Sequence, residues 1–223
     1  MPDMKTNQWQ KMHVRRRPER FEWRAFAMDF GITEQRLRTR AAPEKIRASK
    51  EVQLLPRHNQ IDSISLCNNH LLVRSLLQIR GPLELWSVMD KYPLPLTRTQ
   101  LNGRLSAPLL TQATTTEPDL GSEALRQALA ADGDGVIQLP LEKRRWHFSL
   151  ARCACDITEL TINGSHITSI GIGSVDPQAV LDLAAELGLN RWANRSYLSL
   201  FRQLVGLEEI RLKGEWCWES SDQ

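Results

Sequence analysis

From Phe21 the chain alternates apolar and polar positions (FEWRAF), which sets Phe21, Trp23 and Ala25 on one face of a strand and Glu22, Arg24 and Phe26 on the other. Further strand patterns run over Lys50–Leu55 and Ile61–Leu66, with Pro56 and a polar turn between them, and over Leu71–Arg80, which Gly81-Pro82 ends. The apolar segment LELWSVMDKYPLPL continues to Leu96. In the second half, Val136–Leu141 and Arg145–Ala151 read as strands joined by a tight turn at Glu142–Arg144. Cys153–Ile162 and His166–Ile172 follow as a pair around Asn163-Gly164, a strong hairpin signal.

Helical periods are fewer. Thr33–Lys50 suits a short helix and a connection, Thr97–Leu110 an amphipathic helix, and Glu123–Ala131 a helix closed by the turn at 132–135. Asp176 caps a helix that has Pro177 in its first turn, Val180, Leu181, Ala184 and Leu187 along one stripe, and Gly188 past its end. A last helix over Asn194–Val205 carries Tyr197, Leu198, Phe201 and Leu204 at helical spacing. Strands, helices, antiparallel strands and then two helices make an α+β fold. Its largely antiparallel, barrel-like sheet has flanking helices, and inward polar residues suit it to enclose a ligand.

The 223 residues are 41% hydrophobic and 25% charged, a composition in which a core needs no cross-links. No apolar run approaches the roughly 20 residues that cross a bilayer, and Met1–Gln10 lacks a signal pattern, so no membrane and a cytoplasmic setting are expected. Cys67, Cys153, Cys155 and Cys217 then read as reduced thiols, with Cys153 and Cys155 as small buried hydrophobes on one strand face. Net charge is +3, but residues 1–50 hold 13 basic and 6 acidic groups, so the excess is N-terminal. Three segments follow: a basic arm at 1–19 with Arg15, Arg16 and Arg17, a domain at 20–206, and a Trp-rich tail at 207–223. The arm suits an anionic partner, whether nucleic acid or an acidic protein surface.

Several strands share one chemical feature, a basic residue with a Glu nearby. Arg20, Glu22 and Arg24 form one row, Lys50 a second, Arg74 and Arg80 a third, and Lys143 with Arg145 a fourth, with Glu159 on the next strand. Residues two apart project the same way, so each row puts charges on one face. Two readings stay open at this point. The rows either face solvent and keep a sheet wet, or face one another and line a cationic lumen fit for polyphosphate, whose oxygens guanidinium forks bind in pairs. The five histidines show no ligand spacing, and no Ser-His-Asp or Cys-His pair is evident.

The segments RFEWRAF (20–26), SKEVQLL (49–55), LLVRSLLQIRGPLELWSVMDKYPLPL (71–96), LEKRRWHF (141–148), TELTINGSHITSIGI (158–172) and VDPQAVLDLAAELGLNRWANRSYLSLFRQLVG (175–206) decide the matter further. In their order and spacing they resemble a divergent bacterial branch of the CYTH superfamily, the triphosphate tunnel proteins. The resemblance implies an eight-stranded antiparallel tunnel binding inorganic tripolyphosphate or an organic triphosphate, with Mg2+ or Mn2+, and a metal-dependent triphosphatase activity. It places Glu22 and Glu159 as catalytic carboxylates and Glu22, Glu51 and Glu159 as metal ligands. It places Arg20, Arg24, Lys50, Arg74, Arg80, Lys143 and Arg145 as phosphate ligands. The family's Glu-x-Glu-x-Lys motif here reads Arg20, Glu22, Arg24, and a later carboxylate position falls at Gly173. With two acidic ligands missing, the alternative is a non-catalytic sensor or scaffold that binds phosphate ligands or polyphosphate.

Overall fold

The computed structural model describes residues 18–105, 119–131 and 135–208. The basic arm up to residue 17, Cys217 and the Trp-rich tail from 209 lie outside them. Nine strands occur among the described residues: β1 Arg20–Ala27, β2 Lys45–Pro56, β3 Asp62–Cys67, β4 His70–Arg80, β5 Leu83–Trp86, β6 Asp90–Pro93, β7 Val136–Leu150, β8 Cys153–Ile162 and β9 Ser165–Ser174. The helices are α1 Ile32–Arg40, α2 Arg98–Asn102, α3 Ser122–Ala131, α4 Pro177–Leu187 and α5 Tyr197–Leu204.

Every strand pairing is antiparallel. The order β3-β2-β7-β8-β9-β1-β5-β4 is closed by the β3–β4 pairing, so eight strands form a barrel, and β6 adds to the β4 edge. Closure removes the sheet edges that would otherwise recruit another chain. This is the tunnel architecture expected from the sequence, with α1 to α4 on the outside.

Local chemistry explains the turns. Asn163 and Gly164 hold φ of 49° and 79°, the doubly positive geometry of a tight hairpin, which these two residue types adopt at low cost. Asp176 accepts from the Gln178 amide to cap α4, Pro177 opens it, and Gly188 ends it. Three expectations are corrected. Glu142–Arg144 is no turn: β7 runs unbroken for 15 residues, because the charged stretch contains no Gly, Pro or Asn and alternates in and out of the barrel. The helix expected over Thr97–Leu110 stops at Asn102, where Gly103 caps it. The strand expected from Lys50 begins five residues earlier, at Lys45.

Three apolar clusters hold the barrel. Outward residues Trp23, Ala25, Phe148, Ile157 and Ile170 pack under Val180, Leu183 and Leu187 of α4, together with the buried Cys153 and Cys155. Leu54, Ile64, Leu71 and Val73 pack under Leu101 of α2 and Leu125 and Leu129 of α3. The third cluster is internal. Leu55, Leu139, Leu141, Leu160 and Ile162, all of inward parity, enclose Leu198 and Phe201 of α5, so this helix fills one half of the lumen. Arg202, 2% exposed, clasps α5 in place by donating to the carbonyls of Pro56 and Asn59 through Nη1 and of Arg57 through Nη2.

Candidate functional site

Where the inward positions turn from apolar to polar, the lumen opens into a cavity of about 510 Å3. Its walls carry Glu22 and Arg24 from β1, Arg47 and Glu51 from β2, Arg74 from β4, Glu84 from β5, Lys91 from β6, and Lys143 and Arg145 from β7. Tyr197 and Leu198 of α5 form the floor against the apolar half. Asp156 of β8 joins through contacts with Arg24 and Arg145. Six cations thus face four carboxylates.

Three internal ion pairs organise the walls. Asp156 holds Arg24 through two short bonds, Oδ1 to Nη2 at 2.6 Å and Oδ2 to Nη1 at 2.9 Å, and also accepts from Thr158 at 2.8 Å. Arg24 donates further to Ser169 at 2.7 Å. Its guanidinium lies where Gly171 leaves room, since a Cβ on Gly171 would stand 2.2 Å from Nη2. Glu22 takes both Nη groups of Arg74, at 2.6 and 2.9 Å, while Arg74 Nε donates to the Ser87 carbonyl. Lys143 donates to Glu51 at 2.7 Å, and Ser49 to the same carboxylate at 2.8 Å. Arg47 and Lys91 are exposed and have no ion-pair partner among the described residues.

Burial and charge set opposite protonation tendencies here. Burial raises the Asp156 carboxyl, but Arg24 and Arg145 outweigh it and hold the group well below the ordinary carboxylate range. Glu51 is likewise lowered, burial being overcome by Lys143. Glu84, which accepts from Trp86 Nε1, is raised by burial and by Glu22 opposite it in the strand register. Asn194 completes the β1 wall where β5 begins: its Nδ2 donates to the carbonyls of Glu22 and Pro82, and its Oδ1 accepts from the Arg24 amide.

The expected site residues divide by strand parity. Glu22, Arg24, Glu51, Arg74, Lys143 and Arg145 meet in the cavity. Arg20 shares the Glu22 face by alternation but sits half-buried at the start of β1, outside the cavity wall. Lys50 points outward to an exposed pair with Glu142, because the inward residues of β2 are odd-numbered. Arg80 is exposed at the far end of β4, beyond the bulge at Leu76/Gln78. Glu159 is exposed on the outer face of β8, whose inward residues are even-numbered, and so stands away from Glu22. The inward carboxylate of β8 is Asp156.

Mg2+ or Mn2+ would need several free carboxylate oxygens converging on one point. Glu22 has both oxygens on Arg74, Glu51 serves Lys143 and Ser49, and Glu159 faces away. Among the described residues no three His, Cys, Asp or Glu side chains converge as a metal would require. The donor set present does not fit a divalent metal.

No protein-family model matches the chain, and no curated protein matches it. Solved structures similar to it include the PH1012 protein of Pyrococcus horikoshii, 13% identical over 81% of this chain and 98% of that one, with a TM-score of 0.48. A Hippeastrum protein described as a putative adenylyl cyclase with a dominant triphosphatase activity is 11% identical over 82% of this chain and 95% of that one, TM-score 0.49. A putative adenylate cyclase of Bacillus halodurans is 11% identical over 81% and 96%, TM-score 0.46. It is the strand pairing of this chain that defines its barrel.

Proposed function

We propose that the half-open lumen binds a triphosphate or short polyphosphate chain through its cations, without a metal and without turnover. The observation that carries this reading is the convergence of Arg24, Arg47, Arg74, Lys91, Lys143 and Arg145 on one cavity. A multiply charged anion is the guest that makes such crowding favourable, because guanidinium groups offer only donors and phosphate oxygens only acceptors. Arg47 and Lys91 stand free to meet the guest first, and Arg145, held by Thr158 and Tyr197, presents its remaining donors further in. The sequence resemblance to triphosphate tunnel proteins points to the same ligand class.

Absence of turnover rests on the donor geometry. In-line hydrolysis of a phosphoryl anhydride is ordinarily driven by metal ions that neutralise charge and orient water. Here the inward carboxylates Glu22, Glu51 and Asp156 are engaged by guanidinium and ammonium groups instead, and Glu84 accepts from Trp86 Nε1. The test is thermal unfolding of the full chain in tripolyphosphate with a chelator present, then with Mg2+ or Mn2+, beside a phosphate-release assay. Melting temperature rising with the logarithm of ligand concentration, alike with and without metal, is expected, together with no phosphate release. No stabilisation at millimolar ligand overturns the binding reading. Metal-dependent phosphate release overturns the second half and restores the triphosphatase.

A further inference from the structure

We infer that the Tyr197 hydroxyl, on the cavity floor, is a hydrogen-bond donor to a terminal phosphoryl oxygen of the bound anion. The inference rests on the reading of the cavity as a polyphosphate site and adds a neutral recognition group from α5 to its cations. The side chain is fixed from all sides. Its ring meets Phe26 edge-on at 5.2 Å and stacks on Phe201 at 5.7 Å, and Ser196 caps the helix just before it. The Arg24 guanidinium lies over the ring at 4.5 Å and the Lys143 ammonium at 4.7 Å.

The hydroxyl oxygen accepts from Arg24 Nη1 at 3.2 Å and from Arg145 Nη2 at 3.4 Å. A phenol has two acceptor lone pairs and one donor, and a guanidinium can only donate. Both lone pairs are therefore taken, and what the hydroxyl has left is its proton. Among the described residues no side chain or carbonyl accepts that proton within hydrogen-bond distance, and the residue lines the cavity. One neutral donor set between two cationic donors is complementary to an oxygen carrying negative charge, and poorly suited to a cation or an apolar guest. The charged groups facing the hydroxyl are Arg24 from β1, Lys143 and Arg145 from β7, and Asp156 from β8. The three cations overcome burial and Asp156 and lower the phenol from its usual range, which strengthens it as a donor.

The chain holds two tyrosines, which makes the test direct. Binding of tripolyphosphate to the full chain in chelator is measured calorimetrically for the wild type and for Tyr197→Phe, which keeps the ring and removes the hydroxyl. A hydrogen bond to a charged partner predicts affinity roughly ten- to a hundredfold weaker in Tyr197→Phe, and wild-type affinity falling as pH rises through the phenol's titration. Equal affinity in the two proteins overturns the inference while leaving the polyphosphate reading intact. Failure of the wild type to bind overturns that reading instead. A second readout does not depend on the variant folding. Near-ultraviolet tyrosinate absorbance should show one early step, for Tyr197, and one late step, since burial raises Tyr92. Saturating tripolyphosphate should move the early step to higher pH, and an early step that ligand leaves in place contradicts the inference.

Discussion

Replacing Asp156 with Asn isolates the electrostatic logic of the lumen in one atom-for-atom change. The carboxylate side chain is 15% exposed and neutralises Arg24 at 2.6 and 2.9 Å, with Arg145 at 3.7 Å. In Asp156→Asn one oxygen becomes an NH2 group facing a guanidinium that can only donate, so a bond is lost and a donor opposes a donor. Breaking a buried pair from one side costs about 3–5 kcal/mol, because the surviving charge stays desolvated. For a chain of this length that corresponds to a melting temperature lower by roughly 10 °C. The same change leaves the cavity one negative charge poorer, so tripolyphosphate should stabilise Asp156→Asn by more degrees than it stabilises the wild type. Differential scanning calorimetry with and without ligand reads both effects. A variant that melts within about 2 °C of the wild type and responds equally to ligand would show that Asp156 is not what neutralises Arg24 and Arg145.

Further expectations follow from the same contacts. Stability should fall as pH drops below about 4, the unfolded carboxylate range: Asp156 and Glu51 are lowered in the folded state, so their contribution is full above that range and disappears on protonation. Glu84, raised on folding, works in the opposite sense, its contribution being lost as pH rises through its folded value, so Glu84→Gln should flatten the loss on the alkaline side, as melting curves across pH would show. Gly171→Ala drives a methyl group to 2.2 Å from Arg24 Nη2 and should destabilise by about 1–3 kcal/mol or more in urea titrations, whereas Gly173→Ala, whose nearest contact is Glu22 Cγ at 3.5 Å, should be tolerated. Arg202→Met removes the guanidinium donors from the Pro56, Arg57 and Asn59 carbonyls and should cost about 3 kcal/mol, with faster amide exchange confined to residues 57–61 and α5.

The barrel was legible in the chain because strand period and turn chemistry agree: FEWRAF, the Asn163-Gly164 hairpin and the Asp176-Pro177 start of α4 each fold as their residue types require. Facing was harder to read. Of the charged rows, Glu22, Arg24, Arg74, Lys143 and Arg145 lie inward, joined by Glu51, while Lys50 and Glu159 differ from inward neighbours by one residue, and one residue is the difference between lumen and solvent. Starting β2 at Lys50 hid Arg47, which has the parity of Glu51. A turn placed across Glu142–Arg144 hid the continuity of β7, whose parity would have tied Lys143 and Arg145 to the inward Leu139 and Leu141.

Two members of the site carried weaker signals. Asp156 stands two residues before Thr158 and four before the apolar Leu160, the alternation of one strand face, and could have been found by extending that face. Tyr197 looked like one more apolar residue of an amphipathic helix. That α5 turns inside the barrel, bringing a phenol beneath Arg24 and Arg145, depends on long-range packing against Phe26 and on the Arg202 clasp. No local period encodes that.

In the proposed complex, cations turned into the lumen, and not those on the outer surface, hold the polyphosphate guest. Calorimetric titration of tripolyphosphate in chelator should be run on the wild type, on the inward double variant Arg47→Met with Arg145→Met, and on the outward double variant Lys50→Met with Arg80→Met. Binding is expected in the wild type, retained in the outward variant and weakened at least tenfold in the inward one. Equal loss in both variants, or loss in the outward variant alone, would contradict it.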